Sequence, residues 1–310
     1  MSFSISRAFT PARARFAGAI SCSRVLASSS TRLYSSTKSV FNPQDIHSMS
    51  HSPEHIQSKL PTKKQLRNAN RFREFDLEDR VYAITGGGRG LGLSMGEALI
   101  EAGAKVYALD RLETPHPDFI KAQEKAANEY GGTLEYIRID VRNNTEVNNT
   151  FAAIAAQHER LDGLIAAAGI NHLSSALEHS QQALDDVMTI NYNGVFNSAT
   201  AAARQMFNYQ VKGSILLVAS MSGVIANKGM TSPVYNSSKA APVPGHIITP
   251  MVEEVFQQNP AARATWEAEN MLGRLAMPEE FRGAALFCLS DASSFMTGST
   301  MLIDGGHTAW

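Results

Sequence analysis

The sequence predicts an α/β protein with a parallel, doubly wound sheet, and two observations support that prediction. From Arg80 onward, short apolar runs alternate with longer helical stretches. The short runs are apolar throughout, which is typical of parallel strands covered by helices on both faces. We therefore expect strands at 81–85, 105–109, 134–139, 163–167, 215–219 and 301–303, and helices at 91–102, 118–130, 145–158, 181–209 and 278–289.

The composition is that of a globular protein, with 310 residues, 44% hydrophobic and 18% charged. Two cysteines are too few for a disulfide framework, and the longest apolar stretches are too short for a membrane-spanning helix. The net charge is −1, but residues 1–44 carry six basic and no acidic side chains. The remainder therefore has a net charge of −7, and we expect it to bind neither nucleic acid nor a membrane.

The N-terminal segment has the composition of a targeting sequence. Residues 1–34 are rich in Ser and Arg and free of acid, which predicts a mitochondrial presequence cleaved near Ser35 and delivery to the matrix. If the segment is only a basic tail, the protein is cytoplasmic. Residues 35–73 are too polar to build a core and are interpreted as a disordered linker, which leaves 74–310 as the folded domain.

A glycine-rich turn follows the first predicted strand. Residues 85–92 read TGGGRGLG and lead into a helix, an arrangement that lets the backbone approach a dinucleotide diphosphate. Asp110 ends the second strand, where an acid can hold the ribose hydroxyls of NAD. Arg89 and Arg111 could instead reach the 2′-phosphate of NADP. The sequence favours NAD and leaves NADP as the alternative.

From this turn onward, the chain resembles the short-chain dehydrogenase/reductase family, whose turn reads Thr-Gly-x-x-x-Gly-x-Gly. The segments at 140–141, 166–169 and 244–249 also resemble family motifs, although Ala166 replaces the usual Asn. The resemblance covers 75–310 and implies a Rossmann-type fold. It implies these cofactor-binding residues: Gly86, Arg89, Gly90, Leu91, Gly92, Asp110, Asp140, Val141, Ala168, Gly169, Tyr235, Lys239, Ile247 and Thr249.

A tyrosine and a lysine four residues apart fit acid/base chemistry on an alcohol. Tyr235 would remove the hydroxyl proton, and the Lys239 ammonium is expected to lower the pKa of the phenol. Ser220 would hydrogen-bond the reacting oxygen; Ser222 competes for this role, but the family spacing selects Ser220. Asn191 matches the family residue that holds a proton-relay water near Lys239, and is otherwise a polar residue that bends its helix.

A segment that the family has after this lysine is missing here. Only 240–243 separate Lys239 from the Pro-Gly motif, whereas a parallel crossover needs about a dozen residues or more. We therefore expect the sheet to lack the sixth strand and most of the helix after Tyr235 and Lys239. Either the last strand moves into the vacant place and the chain is active, or the chain is a splice form or an imperfect translation that binds dinucleotide without turnover. We favour the second hypothesis.

The sequence segments at 166–170, 270–274 and the C-terminus resemble those of fungal D-arabinitol 2-dehydrogenases and related polyol dehydrogenases and ketose reductases. This implies NAD-dependent oxidation of D-arabinitol to D-ribulose, without a metal. The alternative enzyme is a 3-oxoacyl-carrier-protein reductase. The family usually forms homo-tetramers through the helix that begins near Asn191 and the helix that carries Lys239. Because the second helix is short here, we expect tetramer formation to be impaired.

Overall fold

The computed structural model describes residues 72–225, 231–239 and 245–309. The predicted presequence and all but the last two residues of the predicted linker lie outside the described residues. The described part contains one parallel sheet with the strand order β3-β2-β1-β4-β5. Its strands are β1 (Val81–Thr85), β2 (Lys105–Asp110), β3 (Thr133–Arg138), β4 (Gly163–Ala166) and β5 (Ser214–Leu217).

Strand β1 lies at the centre of the sheet, paired in parallel with β2 and β4. Its side chains alternate between two hydrophobic clusters, with Tyr82 and Ile84 in one and Val81 and Ala83 in the other. Because every residue of the strand is buried, apolar residues are required at every position and not only at alternate ones. This confirms the prediction of a sheet covered on both faces.

Helices cover the two faces. One cluster takes Leu93 and Leu99 from the first helix, and the other takes Phe151 and Met206 from helices on the opposite face. No helix of the described part is long and apolar enough to cross a membrane. The α-helices are α1 (Gly90–Glu101), α2 (Pro117–Lys125), α3 (Asn144–His158), α4 (Gln181–Met188), α5 (Val195–Asn208), α6 (Pro233–Ser238), α7 (Pro250–Gln258), α8 (Ala261–Glu269) and α9 (Arg282–Leu289).

The long helix predicted at 181–209 is interrupted by a π-helical turn at Thr189–Gly194. A side chain at Gly194 would lie 2.7 Å from Cγ2 of Val141, so glycine allows the helix to pass close to the loop after β3. Wider turns of this kind occur frequently at functional sites because they displace one side chain from the regular helix face. Here the turn contains Asn191.

The sheet ends at β5 in the described part, and the strand predicted at 301–303 is not formed. Within the described residues, the carbonyl oxygen of Ile303 accepts a backbone hydrogen bond from Gly245 N at 2.9 Å. A strand needs a neighbour that pairs with it over several residues, and none of the described strands pairs with this segment. The hypothesis that the last strand fills the vacant place is therefore wrong. Helix α6 has six residues, as the missing segment predicts.

Candidate active site

A cavity of about 280 Å³ lies at the carboxyl ends of the strands, where ligands bind in open parallel sheets. All fourteen residues predicted to bind the cofactor line it. Of the predicted catalytic residues, Ser220, Tyr235 and Lys239 line the cavity. Asn191 lies just behind it, with its Oδ1 3.3 Å from where a side chain on Gly169 would begin. The fold thus brings the two predicted sets of residues together.

The glycine-rich turn leaves open space for a ligand. Gly86 has a φ of +70°, and a Cβ there would lie 2.8 Å from the backbone of Ala168. A Cβ on Gly92 would clash with the carbonyl oxygen of Gly86. No side chain caps the N-terminus of α1, so the amides of its first turn are free of side-chain acceptors. A diphosphate fits such a cradle, since it needs close backbone approach and unpaired N–H donors.

Asp110 holds the same turn from the end of β2. Its carboxylate accepts hydrogen bonds from Gly88 N at 3.0 Å and from Arg111 N at 2.7 Å. The residue is only half-buried and lines the cavity together with Arg89 and Arg111, both of which are exposed. The structure thus places one carboxylate and two guanidinium groups at the end of the cavity that is expected to bind the adenine ribose. This arrangement is compatible with both NAD and NADP.

Two further predicted segments border the cavity. Asp140 forms an ion pair with Arg142. Hydrogen bonds from Arg142 to the Asp140 carboxylate hold the pKa of that carboxyl below its ordinary value. Thr249 accepts a hydrogen bond from Val252 N at 3.4 Å as the N-cap of α7. Thr249 therefore begins the helix that borders the other side of the cavity.

Ser220 and Tyr235 face each other in the cavity. Interaction with the Ser220 hydroxyl favours the ionised form of Tyr235 and so acts to lower its pKa. The hydroxyl of Ser220 also donates to Ser222 Oγ at 3.1 Å and accepts from Ser222 N at 3.2 Å. Both serines line the cavity, but only Ser220 acts on the pKa of Tyr235, which favours Ser220 as the residue that contacts the reacting oxygen.

Lys239 and Asn191 support the tyrosine from behind. Lys239 Nζ donates to Val218 O at 3.1 Å and lies 6.0 Å from the centroid of the Tyr235 ring. Asn191 Nδ2 donates to Ile170 O and to Ser238 Oγ, each at 2.9 Å. Asn191 therefore ties the loop after β4 to the short helix α6, in addition to bending its own helix.

Burial dominates the electrostatics of the catalytic pair. It raises the pKa of Tyr235 above its ordinary value, against the smaller opposing effect of the Ser220 hydrogen bond. Burial also lowers the pKa of Lys239 to about 8. The expectation that the neighbouring ammonium lowers the tyrosine pKa is wrong for the protein alone. The free-energy cost of removing the phenolate from water exceeds the stabilisation that its surroundings provide.

Comparison with known families decides the identity of the domain. Residues 80–258 match the short chain dehydrogenase model, and residues 243–308 match a model described as enoyl-(acyl carrier protein) reductase. The first match covers more than half of the chain. The chain belongs to the short-chain dehydrogenase/reductase family.

Individual family members resemble most of the chain. A short chain dehydrogenase/reductase, notP′, from Aspergillus versicolor is 36% identical over 262 residues, covering 76% of this chain and 89% of its own. The D-arabinitol 2-dehydrogenase of Candida tropicalis is 30% identical, covering 76% of this chain and 95% of its own. The structure of an NADPH-dependent 3-quinuclidinone reductase from Rhodotorula rubra superimposes with a TM-score of 0.70 and 29% identity, covering 81% of this chain and 97% of its own.

The alignments also reflect the missing segment. The match to the Candida tropicalis protein spans 267 positions but only 76% of this chain, which is about 236 residues. Roughly thirty aligned positions thus have no residue in this short-chain dehydrogenase/reductase. Ala166, which replaces the usual Asn of the family motif, is fully buried in the core cluster that contains Leu164. An apolar side chain packs there without needing a polar partner.

Sequence reasoning did not single out every residue that lines the cavity of this short-chain dehydrogenase/reductase. His246, Met251, Val255 and Trp266 line the cavity but were not predicted as site residues. His246 stands inside the Pro-Gly motif, next to the predicted Ile247, so its position could have identified it. Trp266 carries no such signal, because an isolated tryptophan on a helix is usually a core residue.

Proposed function

We propose that the chain oxidises a secondary alcohol of a polyol, D-arabinitol to D-ribulose, with NAD as the hydride acceptor. The names of its relatives support this substrate class, since they include dehydrogenases of D-arabinitol, galactitol and cyclopentanol. The observation that carries the proposal is that Ser220, Tyr235 and Lys239 line the same cavity as the glycine-rich turn.

The dinucleotide would be held by residues already described. The turn at 86–92 would receive its diphosphate, and Asp110 would bind the hydroxyls of its adenine ribose. When bound, its nicotinamide accepts the hydride that leaves the alcohol carbon. NAD is proposed over NADP because a 2′-phosphate would lie close to the carboxylate of Asp110.

Side chains in the cavity carry out the transfer of the hydroxyl proton. Ser220 holds the alcohol oxygen by a hydrogen bond, and Oη of Tyr235 takes the hydroxyl proton. Because burial raises the pKa of Tyr235, the phenolate needs positive charge nearby. Lys239 supplies that charge mainly below its pKa of about 8. Asn191 positions α6, and with it the tyrosine, through its bond to Ser238.

The second candidate function is dinucleotide binding without turnover, and the six-residue α6 favours it. So short a helix is marginal without support from its neighbours. The catalytic residues are correctly placed but weakly supported, whereas the dinucleotide cradle lies on complete strands. Binding without turnover is therefore the second candidate, in which the chain binds NAD but forms no NADH from D-arabinitol.

The test is NADH formation with D-arabinitol by a chain beginning at Ser35, compared with its Tyr235→Phe variant. Loss of the general base should lower kcat by about a hundredfold or more. Tyr209→Phe is the matched control, because Tyr209 lies outside the cavity. Equal rates in the Tyr235→Phe variant would exclude the tyrosine mechanism. Faster turnover of an acetoacetyl thioester than of polyols would favour the acyl-carrier-protein reductase.

We also propose delivery to the mitochondrial matrix, supported by the acid-free, arginine-containing segment 1–34. Fusion of these residues to a fluorescent protein tests it, and a cytoplasmic signal would show that they are only a tail. Assembly below the tetramer stays a prediction from the shortened α6, and light scattering measures it.

A further inference from the structure

Buried polar atoms without partners cluster at one end of the active-site cavity. Both ring nitrogens of His246, Nε1 of Trp266, Nδ1 of His307 and Oδ1 of Asn270 are buried and form no hydrogen bond in the structure. Buried polar groups in folded proteins nearly always have a partner. So many unpaired atoms in one place indicate that something else supplies the hydrogen bonds.

The cluster is rigidly built around two side chains that line the cavity. The ring of His246 stacks on the indole of Trp266 with centroids 4.2 Å apart and planes 5° from parallel. His307 meets the other side of His246 edge-on at 4.9 Å. Only 7% of His246 and 1% of Trp266 are exposed, yet both residues line the cavity.

The chemistry of these groups defines the ligand that would satisfy them. Burial and the neighbouring His307 lower the pKa of His246 to about 3, so the ring is neutral and offers one donor and one acceptor. Trp266 offers one donor. A hydroxyl group, which both donates and accepts, complements this set. A hydrocarbon would leave these groups unpaired, and an anion would gain no charge–charge attraction from the neutral rings of His246 and Trp266. Within the described residues, no group of His, Cys, Asp and Glu is arranged to hold a metal ion.

We propose that His246 and Trp266 form a subsite for a second hydroxyl group of the substrate, distinct from the hydroxyl held by Ser220 and Tyr235. This inference rests on the proposed polyol oxidation and deepens it. A site built to hydrogen-bond a hydroxyl discriminates strongly against analogues that lack one. The subsite therefore selects polyols over alcohols with a single hydroxyl, such as cyclopentanol.

Binding can be measured without turnover, because Trp266 is one of two tryptophans in the chain. In a Trp310→Phe background, Trp266 is the only indole fluorophore. We titrate this protein with D-ribulose in the presence of NAD, a pair that cannot react. D-ribulose should change the Trp266 emission saturably, whereas cyclopentanone should not. Absence of any saturable change with D-ribulose overturns the subsite.

The decisive variant is His246→Phe, which keeps an aromatic ring on Trp266 and removes both ring nitrogens. We expect D-ribulose affinity, and the kcat/KM for D-arabinitol relative to cyclopentanol, to fall about ten- to hundredfold. Trp266→Phe, measured by calorimetry, is the second variant and should show the same loss if His246→Phe does not fold. Phe256→Leu is the control, because Phe256 packs against Trp266 but lies outside the cavity lining.

The outcomes separate the two proposals. If D-arabinitol is oxidised and His246→Phe leaves both affinity and selectivity unchanged, the subsite is wrong and the proposed function stands. If no turnover occurs but D-ribulose binding is lost in His246→Phe, the subsite stands and the catalytic proposal fails. If the Phe256→Leu control loses as much affinity as His246→Phe, packing explains the effect and the subsite is wrong.

Discussion

The sheet from β1 to β4 and the region from β5 onward differ in how completely they are built. Strands β1, β2 and β4 each pair with a neighbour on both sides, and the glycine-rich turn that follows β1 is packed against Ala168. Strand β5 has four residues, ends the sheet and leaves Leu217 39% exposed. The difference teaches that the residues expected to hold the diphosphate and the adenine ribose, and the residues expected to move the proton, rest on separable parts of the molecule.

The weaker region nevertheless positions its catalytic groups through bonds to the stronger one. Lys239 donates to the backbone of Val218, and Ser238 accepts from Asn191 in the π-helical turn. These contacts hold the C-terminal end of α6, at Ser238 and Lys239, without the rest of the helix. They explain how a six-residue helix keeps Tyr235 in the cavity, but they leave it with few supporting neighbours.

The largest expected effect comes from restoring the missing segment. We would insert, after Ala241, about thirty residues from the corresponding part of the Candida tropicalis enzyme, which is about the number of aligned positions that this chain lacks. A complete helix and a sixth strand would support Tyr235, so we expect polyol turnover to rise about a hundredfold or more, since small misplacements at a reacting centre cost factors of that size. Steady-state NADH formation measures this.

The same insertion should leave dinucleotide affinity nearly unchanged, because the cradle does not touch the new residues. An inserted Gly/Ser linker of equal length is the control and should not raise turnover. If the natural segment raises dinucleotide affinity and turnover to the same extent, the two regions are not separable and the comparison fails.

The unpartnered His246 makes the weaker region sensitive to acid. Its pKa is about 3 in the folded protein and about 6.5 in the unfolded chain. Between these values the unfolded state binds a proton that the folded state does not, so stability falls as pH decreases. From pH 7 to pH 5 this amounts to about 2 kcal/mol.

Urea unfolding at pH 7 and pH 5 measures this loss. The His246→Phe variant should lose about 2 kcal/mol less than the unmodified protein over the same interval. His116→Phe is the control, because the side chain of His116 is much more exposed than that of His246. Equal acid sensitivity in the His246→Phe variant would show that other groups dominate the unfolding.

The two regions were also unequally predictable from the sequence. The elements from β1 to α3 follow from apolar runs in the sequence. Asn143 and Ser180 cap α3 and α4 close to the predicted starts of these helices. Gly86 and Asp110 could be predicted as cofactor-binding residues from their neighbours in the sequence alone. The failures depend on distant partners. The segment 301–303 has strand-like residues, but no described strand pairs with it. The π-helical turn depends on the close approach of Gly194 to Val141, and Trp266 lines the cavity because the chain from 245 to 266 brings it there.

The smallest effect tests the complete region alone, through cofactor choice. Asp110→Asn keeps an oxygen for the Gly88 amide but removes the charge that opposes a 2′-phosphate, while Arg89 and Arg111 remain. We expect the ratio of NADP to NAD affinity to rise about tenfold, measured by calorimetry. Asp118→Asn removes an equal charge from exposed α2 and should leave the ratio unchanged. An unaltered ratio in Asp110→Asn would mean that this carboxylate only anchors the turn, and that the two arginines, not the acid, decide which dinucleotide is bound.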